Sequence, residues 1–381
     1  MPLGIIGLTL LSGYILLILL ASAGSLSGFR RFKPLVRLSS PSGHKVSIIV
    51  AAKNEADTLR DSLSSLVALD YLDKEMIVVY GPSNDGTEKI AQEFAGKMTV
   101  FQEPERPSDW LGKSWACHNG YLRSTGDILL FADGDVIHSK DSLGVILANL
   151  ESDHADMFSV WPEIITRVKS ERVIFPASIF FLCAGVSAVG TRRTPNGRRI
   201  DGANGQYIMI TRKAYVSIGG HAAIKTDIME DGAMGKRSLR QGLEVMNANG
   251  EGYVKVLPYN WFGEAWEAHE RFGAGLVPSW AKLAAACVLT TAYFVGPFAL
   301  LAFALATASW GLASVAGMMC AVVYATQVFF SLKSSRLKYF ILAPISGVIV
   351  TAAFATGFVK FRRGGITWKN VKYASDRFKS L

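Results

Sequence analysis

Long apolar runs lie at both ends of this chain, and the polar positions concentrate between them. The first run extends from Leu3 to Ala23, contains no ionisable carboxylate or amine, and approaches the roughly 20 residues that a helix needs to cross a bilayer. The second run, Leu283 to Leu332, is long enough for a helical hairpin that turns near Ser309, and a third follows from Leu337 to Val359. The pattern therefore predicts a membrane protein with helical anchors at both ends.

The residues beside the first run indicate its orientation. A cleaved signal peptide is the alternative to an anchor, but no basic segment precedes the run, whereas Arg30, Arg31, Lys33 and Arg37 follow it. Positively charged flanks favour the cytoplasmic side. We therefore expect an uncleaved anchor, a multi-pass protein of the cell membrane, and a central domain in the cytosol.

The C-terminal runs leave the number of crossings open. Three full crossings would place the tail outside the cell, although the tail is basic, which conflicts with the positive-inside tendency. Either one C-terminal run is re-entrant, or the segment Val173 to Gly190 also crosses. That segment is short for a span and is more typical of an interfacial or buried helix.

Between Val46 and about Leu257, short β-branched runs alternate with amphipathic stretches, which predicts a sheet covered by helices. The predicted strands are Val46 to Val50, Met76 to Tyr80, Met98 to Phe101 and Ile128 to Ala132. The predicted helices are Glu55 to Leu69, Thr87 to Ala95 and Lys113 to Arg123. Ligands bind beyond the carboxyl ends of the strands in such sheets, where Glu55, Asp85 and the triplet Asp133-Gly134-Asp135 are found.

The triplet has two interpretations. Two carboxylates at the end of a buried strand suit Mg²⁺ or Mn²⁺, and such an ion would neutralise a nucleotide diphosphate. Alternatively, Asp-Gly forms an ordinary tight turn. The other candidates have ordinary alternatives too, because Asp85 fits a capping box, Glu55 and Glu230-Asp231 fit acidic helix starts, and Lys113 fits a solvated loop.

The net charge of +9 comes largely from basic clusters that flank the hydrophobic runs. An anionic membrane surface is therefore a better partner than nucleic acid, since no nucleic-acid motif accompanies the charge. The cysteines at 117, 183, 287 and 320 show neither zinc nor redox spacing and are expected to pack in a reducing compartment.

Several short motifs occur in a fixed order, and together they resemble glycosyltransferase family two from about Lys45 to His269. The motifs are Val46 to Glu55, Ser83-Asn84-Asp85-Gly86-Thr87, Gly112-Lys113, Asp133-Gly134-Asp135, Gly202-Ala203-Asn204-Gly205-Gln206, Gly219-Gly220-His221 and Glu230-Asp231. The run Trp110 to Ala116 and the segment Gly365 to Lys369 resemble more closely the branch of hopanoid-associated and carotenoid glycosyltransferases.

The resemblance implies a nucleotide-binding domain of the GT-A type, with a mixed, mainly parallel sheet, and an inverting sugar transfer. Glu55, Asp85 and Lys113 would line the donor pocket, and Asp133 would face the donor ribose or the metal. Asp135 would ligate the ion, and Asp231 would be the general base. A nearby carboxylate that removes the acceptor proton accelerates such reactions by roughly 10²- to 10⁴-fold.

Two departures from the family pattern affect this reading. Many relatives have an acidic residue at the end of the second strand that holds the base, whereas this chain has Tyr80-Gly81-Pro82, where Tyr80 is a candidate for stacking on the base. Processive synthases carry a Gln-x-x-Arg-Trp signature, and the counterpart here includes Arg271-Phe272. Arg271 remains a candidate clamp for the diphosphate, but polymerisation loses support.

We therefore expect a metal-dependent glycosyltransferase that moves one sugar from a nucleotide-sugar donor to a lipid or lipid-linked acceptor at the cytosolic membrane face. The alternatives are a polysaccharide synthase of the same fold and a non-catalytic lipid-binding relative. The oligomeric state stays open. The expected divisions are an anchor at 1–25, a GT-A domain at 45–270, an interfacial linker at 271–282, membrane helices at 283–359 and a basic tail at 360–381.

Overall fold

The computed structural model describes residues 2–38, 43–165, 169–188, 193–194, 197–198, 202–257, 259, 261–333, 342–368 and 371–373. The end of the segment Val173 to Gly190, the start of the run from Leu337 and the tail after Tyr373 lie outside the described residues.

Strands and helices alternate through the middle of the chain, as the pattern predicted. The strands are β1 Lys33–Pro34, β2 Val46–Ala52, β3 Lys74–Tyr80, β4 Thr99–Gln102, β5 Ile128–Asp133, β6 Val136–His138, β7 Met157–Trp161, β8 Glu163–Ile164, β9 Arg193–Thr194, β10 Gly197–Arg198, β11 Tyr207–Thr211, β12 Val245–Asn249, β13 Val254–Val256, β14 Ile366–Trp368 and β15 Val371–Tyr373. The helices are α1 Pro2–Phe29, α2 Ala56–Val67, α3 Thr87–Gln92, α4 Gly112–Leu122, α5 Ser142–Ser152, α6 Lys169–Ala188, α7 Arg212–Ser217, α8 Glu230–Arg240, α9 Phe262–Leu276, α10 Trp280–Phe294, α11 Gly296–Ala306, α12 Trp310–Lys333 and α13 Ala343–Arg362, with a 3₁₀ helix at Gly220–Ile224.

The main sheet has the order β1-β12-β7-β11-β5-β2-β3-β4. Strand β11 runs antiparallel to β5 and β7, and the other neighbouring strands pair in parallel. Because β2, β3, β4 and β5 are all parallel, the loops that follow them meet at one edge. The predicted α/β class with a mixed, mainly parallel sheet is confirmed.

Close packing of helix α4 on the sheet sets the position of its first turn. Val46, Ile48, Ile49 and Val50 of β2 are fully buried, as β-branched residues of a strand covered on both faces should be. Gly120 of α4 lies so near this strand that a Cβ there would be 2.4 Å from Cγ2 of Ile49. The absence of a side chain at residue 120 therefore lets α4 approach, which holds its N-terminal end beside the carboxyl edge of the sheet.

A bundle of apolar helices lies beside the sheet domain, built from α1, α6 and α10 to α13. Three helices among the described residues are long and apolar enough to cross a membrane, namely Gly4–Phe29, Trp310–Phe330 and Ala343–Arg362. Helices α10 and α11 are bent by 49° relative to each other and form either a broken span or a re-entrant loop. The predicted hairpin turn is confirmed, since α11 ends at Ala306 and α12 begins at Trp310.

Helix α6 belongs to this bundle, and its described part buries Ile174, Ala177, Phe180 and Cys183. It packs against α1, α12 and α13, and a Cβ on Gly28 would lie 1.9 Å from the carbonyl oxygen of Cys183. The described part of this segment is therefore a helix that packs within the bundle.

Helices α9 and α13 join the sheet domain to the bundle through a close contact between two glycines and the opposite backbone. A Cβ on Gly273 would lie 2.1 Å from the carbonyl oxygen of Phe354, and one on Gly357 would lie 2.0 Å from that of Glu270. Lys360 also pairs with Glu270 at 2.6 Å. From the sequence we expected the sheet domain to end at residue 270, but helix α9 continues past that residue. Helix α9 thus connects the sheet domain to the helical bundle.

We predict that Gly357→Val lowers stability, because the side chain would push α13 away from α9. Overpacking of this kind costs about 1–3 kcal/mol. Thermal unfolding of the purified protein in detergent measures the effect, with Gly317→Val on α12 as the matched control, since a Cβ at Gly317 meets nothing within 4 Å. Equal melting temperatures for the two variants would contradict the prediction.

Candidate functional site

A cavity of about 630 Å³ lies between the carboxyl edge of the sheet and the helical bundle. Its polar end is lined by residues that follow the parallel strands and begin helices α4 and α8, among them Lys53, Glu55, Lys113, Asp133, Asp135 and Asp231. Its apolar end is lined by side chains of α1, α6, α9 and α13, among them Phe29, Phe175, Ile179, Leu182, Phe272 and Phe354.

Lys113 is the centre of an ion-pair cluster at the polar end. Its Nζ lies 2.7 Å from Oδ1 of Asp133 and 2.8 Å from Oε1 of Glu230. Burial alone would lower the pKa of Lys113, but the carboxylates of Asp133, Glu230 and Asp231 raise it well above its ordinary value. The solvated-loop interpretation of Lys113 is therefore wrong, because the amine is a fixed positive charge between two helices and a strand.

Asp231 is held by two backbone amides. Gly205 N donates to Oδ2 at 2.8 Å, and Gly232 N donates to Oδ1 at 2.7 Å. Burial and the neighbouring negative charge of Glu230 raise the pKa of Asp231. Glu230 differs, since Lys113 and Arg271 outweigh burial and lower its pKa to about 2. A raised pKa suits a proton acceptor, whereas a carboxylate already paired with lysine is a poor one.

Glu230 and Asp231 also lie in the first turn of α8, so the interpretation of these residues as an acidic helix start describes their local structure correctly. The motif Gly202 to Gln206 precedes β11 and supplies the Gly205 amide to Asp231. Asp133 is the last residue of β5, the strand that pairs with β11. The pairing of these two strands therefore brings Asp133 and Asp231 to one cavity from parts of the chain almost a hundred residues apart.

Glu55 lines the cavity, but the structure does not place Asp85 among the lining residues. Instead, Asp85 accepts hydrogen bonds from Ala56 N at 3.0 Å and from the Thr87 hydroxyl at 2.6 Å. Although burial opposes the change, these bonds lower the pKa of Asp85. The helix-start alternative accounts for Asp85, and the expected direct contact with a donor gains no support from its position.

The Ser83 to Thr87 motif instead holds the loop that carries Glu55. Asn54 N donates to the Ser83 hydroxyl at 3.1 Å, and Glu55 N donates to the Thr87 hydroxyl at 2.8 Å. Asn54 has a positive φ of 51°, a conformation that asparagine tolerates better than most residues. The loops after β2 and β3 thus form one unit that turns Glu55 toward the cavity.

Tyr80 is not available for stacking on a nucleobase, which corrects that expectation. Its ring is 6% exposed and packs in the core of the sheet domain. Its hydroxyl accepts a hydrogen bond from Gln92 Nε2 at 3.1 Å. The last side chain of β3 points into the core, so the cavity meets only Gly81 of this segment.

Glu103 and Lys53 line the polar end beside Gly81 and were not among the predicted site residues. Glu103 follows β4, and the sequence contains no motif around it. Its place at the cavity follows from β4 pairing with β3, which periodicity alone does not reveal.

The residues at this edge fit a bound Mg²⁺ or Mn²⁺ when the donor supplies further ligands. Asp133 and Asp135 flank Gly134 and both line the cavity, and a Cβ on Gly134 would lie 3.3 Å from Cγ of Glu55. Among the described residues, no group of three or more His, Cys, Asp or Glu side chains has the arrangement of a complete metal site. Mg²⁺ is commonly held by one or two carboxylates together with substrate phosphates and water, which this donor set matches.

A sequence model of "Glycosyl transferase family 2" matches residues 47–223. The curated relatives include the 4,4'-diaponeurosporenoate glycosyltransferase of Staphylococcus haemolyticus strain JCSC1435, which is 27% identical over 276 residues, or 70% of each chain. The enzyme of the same name from the bovine Staphylococcus aureus strain RF122 is 25% identical over 346 residues, or 88% of this chain and 90% of that protein.

Among solved structures, a mannosyltransferase, PcManGT from Pyrobaculum calidifontis in complex with GDP-Man and Mn²⁺, has a similar fold. The TM-score is 0.54 at 18% identity, and the match covers 92% of this chain and 99% of that one. The predicted GT-A type fold and the predicted similarity to carotenoid glycosyltransferases are thereby confirmed. The match over residues 47–223 and the identity to the curated relatives show that this chain is similar to glycosyl transferase family 2 over its sheet domain.

Proposed function

We propose that this protein is a membrane-anchored inverting glycosyltransferase that moves a single sugar from a nucleotide-sugar donor to a lipid acceptor at the cytosolic face of the membrane. One observation carries the proposal: the same cavity contains the acidic cluster of the sheet domain and apolar side chains of the helical bundle. A lipid acceptor can thus reach Asp231 while its hydrocarbon remains among the helices.

The apolar end of the cavity supports this acceptor class. Phe29, Phe175 and Phe354 come from three different helices and line it together. Such a surface contacts hydrocarbon favourably and offers little to a soluble sugar acceptor. The staphylococcal relatives are named as glycosyltransferases of 4,4'-diaponeurosporenoate, which supports a lipid-like acceptor here as well.

At the polar end, Asp133 and Asp135 would hold a divalent ion, with Glu55 nearby. When bound, the ion would stabilise the negative charge that develops on the leaving diphosphate. Lys113 adds a fixed positive charge at the same edge, and Arg271 lines the cavity from α9. These two cations attract the donor's diphosphate and orient it toward the strand ends.

Asp231 would take the acceptor proton. Its amide contacts from Gly205 and Gly232 fix the direction of the carboxylate, and its raised pKa increases its basicity. Glu230 would not share this role, because Lys113 holds it ionised in a close pair. Inversion then requires the acceptor oxygen to approach the sugar from the side opposite the diphosphate.

The contacts of α13 bear on membrane topology. Lys360 pairs with Glu270, and Arg362 donates to the carbonyl oxygen of Pro278 at 2.8 Å. The end of α13 thus lies beside the sheet domain. We propose that the sheet domain and the tail both lie on the cytosolic side, and that α10 and α11 form the re-entrant run. We also keep the five expected divisions of the chain, with α9 as the connection between the sheet domain and the bundle.

We predict that Asp135→Asn abolishes sugar transfer in a folded protein, because an amide offers the ion a neutral oxygen in place of a charged one. Purified protein would be incubated with nucleotide sugars, Mn²⁺ and a lipid extract, and the glycolipid would be detected by mass spectrometry as a gain of one sugar. EDTA should have the same effect as the substitution. The matched control is Asp61→Asn on the exposed face of α2, which should retain the wild-type rate. Full turnover in EDTA would overturn the role of the ion.

We predict that the effect of Asp231→Asn depends on the acceptor. An alcohol must lose its proton to attack, so turnover should fall by about two to four orders of magnitude. A phosphate or carboxylate acceptor is already ionised, and the loss should then be smaller. Donor binding, measured by calorimetry, should remain nearly unchanged with either acceptor.

The pH profile gives the same test a second readout. Since Asp231 has a raised pKa, wild-type turnover of an alcohol should fall on acidification at a pH above the ordinary aspartate pKa of 3.8. The Asp231→Asn variant should lack that decline. Normal turnover of an alcohol by the variant would remove Asp231 from the role of base.

We predict that a cysteine introduced by Ser375→Cys in the basic tail reacts with a membrane-impermeant maleimide only after cells are permeabilised. A cysteine introduced by Pro2→Cys, at the opposite end of the first anchor, is the control and should react in intact cells. Labelling of residue 375 in intact cells would show that the tail is outside.

A further inference from the structure

One corner of the cavity lies beyond the acidic cluster, where three neighbouring parallel strands end. Lys53 follows β2, Gly81 follows β3 and Glu103 follows β4, and the sheet order puts these positions side by side. The mechanism proposed above uses none of these side chains. The corner is open to the same cavity as Asp133 and Lys113, so a ligand bound through its diphosphate there extends toward it.

Glu103 fills the space that Gly81 leaves. Its backbone amide donates to the Tyr80 carbonyl oxygen at 2.9 Å, which fixes it next to the end of β3. A Cβ on Gly81 would lie 3.1 Å from Oε1 of Glu103. Glu103 also lines the cavity, so a ligand there can reach its side chain.

Two cations flank this carboxylate. Burial raises the pKa of Glu103, while the charges of Arg106 and Lys53 oppose that rise. Lys53 lines the cavity beside Gly81, and Nη1 of Arg106 lies 3.1 Å from the position of a Cβ on Gly112. The corner therefore offers the Glu103 acceptor and the Lys53 donor to the cavity, and the Arg106 donor lies beside the lining residue Gly112.

We propose that Glu103 recognises the base of the donor nucleotide, and that the base presents an imino N–H between two carbonyl oxygens, as uracil does. The inference rests on the proposed function, because it takes the bound ligand to be a nucleotide sugar. The N–H donates to Glu103, and the carbonyl oxygens accept from Lys53 and Arg106. Adenine and cytosine present an unprotonated ring nitrogen that repels the carboxylate, and guanine offers one carbonyl oxygen for the two cations.

The test measures the affinities of UDP, GDP, ADP and CDP for the purified full-length protein with Mn²⁺ by calorimetry. We expect UDP to bind most tightly. Glu103→Gln should weaken UDP binding about 10-fold, since hydrogen bonds to charged acceptors are stronger than those to neutral ones, and should not weaken ADP binding, because it removes the charge that repels adenine. The control Glu105→Gln alters a neighbouring exposed carboxylate and should leave all four affinities unchanged.

Moving the carboxylate separates recognition from a structural role. Glu103→Gly should abolish the preference for UDP, and adding Gly81→Asp to that variant should restore it, because the new side chain enters the vacated space. Gly81→Asp alone should weaken UDP binding, since two carboxylates would then crowd the same corner. If the variant with both substitutions does not regain the preference for UDP, Glu103 only supports the structure of its loop.

The remaining outcomes distinguish the two proposals. A wild-type preference for GDP, ADP or CDP, or an equal loss for all four nucleotides in Glu103→Gln, would overturn the base inference and leave the proposed function standing. A wild-type protein that binds none of the four would overturn both.

Discussion

The ion-pair cluster around Lys113 is the interaction on which the rest of the site depends. The lysine begins α4, Asp133 ends β5 and Glu230 begins α8, so one amine ties three elements of the sheet domain together. Glu230 is only 9% exposed, and a buried carboxylate without its cation is strongly unfavourable. Burial and the negative charge of Glu230 raise the pKa of Asp231, the next residue, although Lys113 opposes that rise, and two backbone amides hold its carboxylate. Lys113 thus keeps Glu230 ionised, and the charge of Glu230 in turn adds to the effect of burial on the proposed base.

The second constraint is the contact between α9 and α13. Gly273 and Gly357 allow the backbones of these two helices to touch. Arg271 and Phe272 of α9 line the cavity. Helix α13 belongs to the bundle, whereas α9 continues from the sheet domain. The cavity therefore has one polar and one apolar end because two differently built parts of the chain share a wall. This shared wall is the physical basis for proposing a lipid acceptor.

The segment Tyr80-Gly81 shows how a local departure from a family pattern acquires meaning in three dimensions. Read along the chain, it removes an acidic residue and suggests a stacking tyrosine. In the fold, Tyr80 packs into the core, and Glu103, which follows the adjacent strand β4, lies beside Gly81. Asp85 is the opposite case. Its motif resembles one that contacts a nucleotide donor, but its carboxylate accepts hydrogen bonds from the first residues of α2 and α3. Motif order correctly predicted the similarity to the family, but it did not reveal which motif residues line the cavity.

The sequence by itself determined the long apolar helices at both ends, the alternation of strands and helices, and the placement of Glu55, Asp133 and Asp135 at strand ends, because hydrophobic periodicity and strand polarity act locally along the chain. Only the tertiary structure decided that α6 is buried in the bundle, that Lys113 bridges Asp133 and Glu230, and that Glu103 reaches Gly81. These contacts join residues that are distant in sequence, and they depend on strand order and helix packing. Hydrophobic periodicity does not reveal strand order or helix packing, because it indicates which face of an element is buried but not which element covers that face.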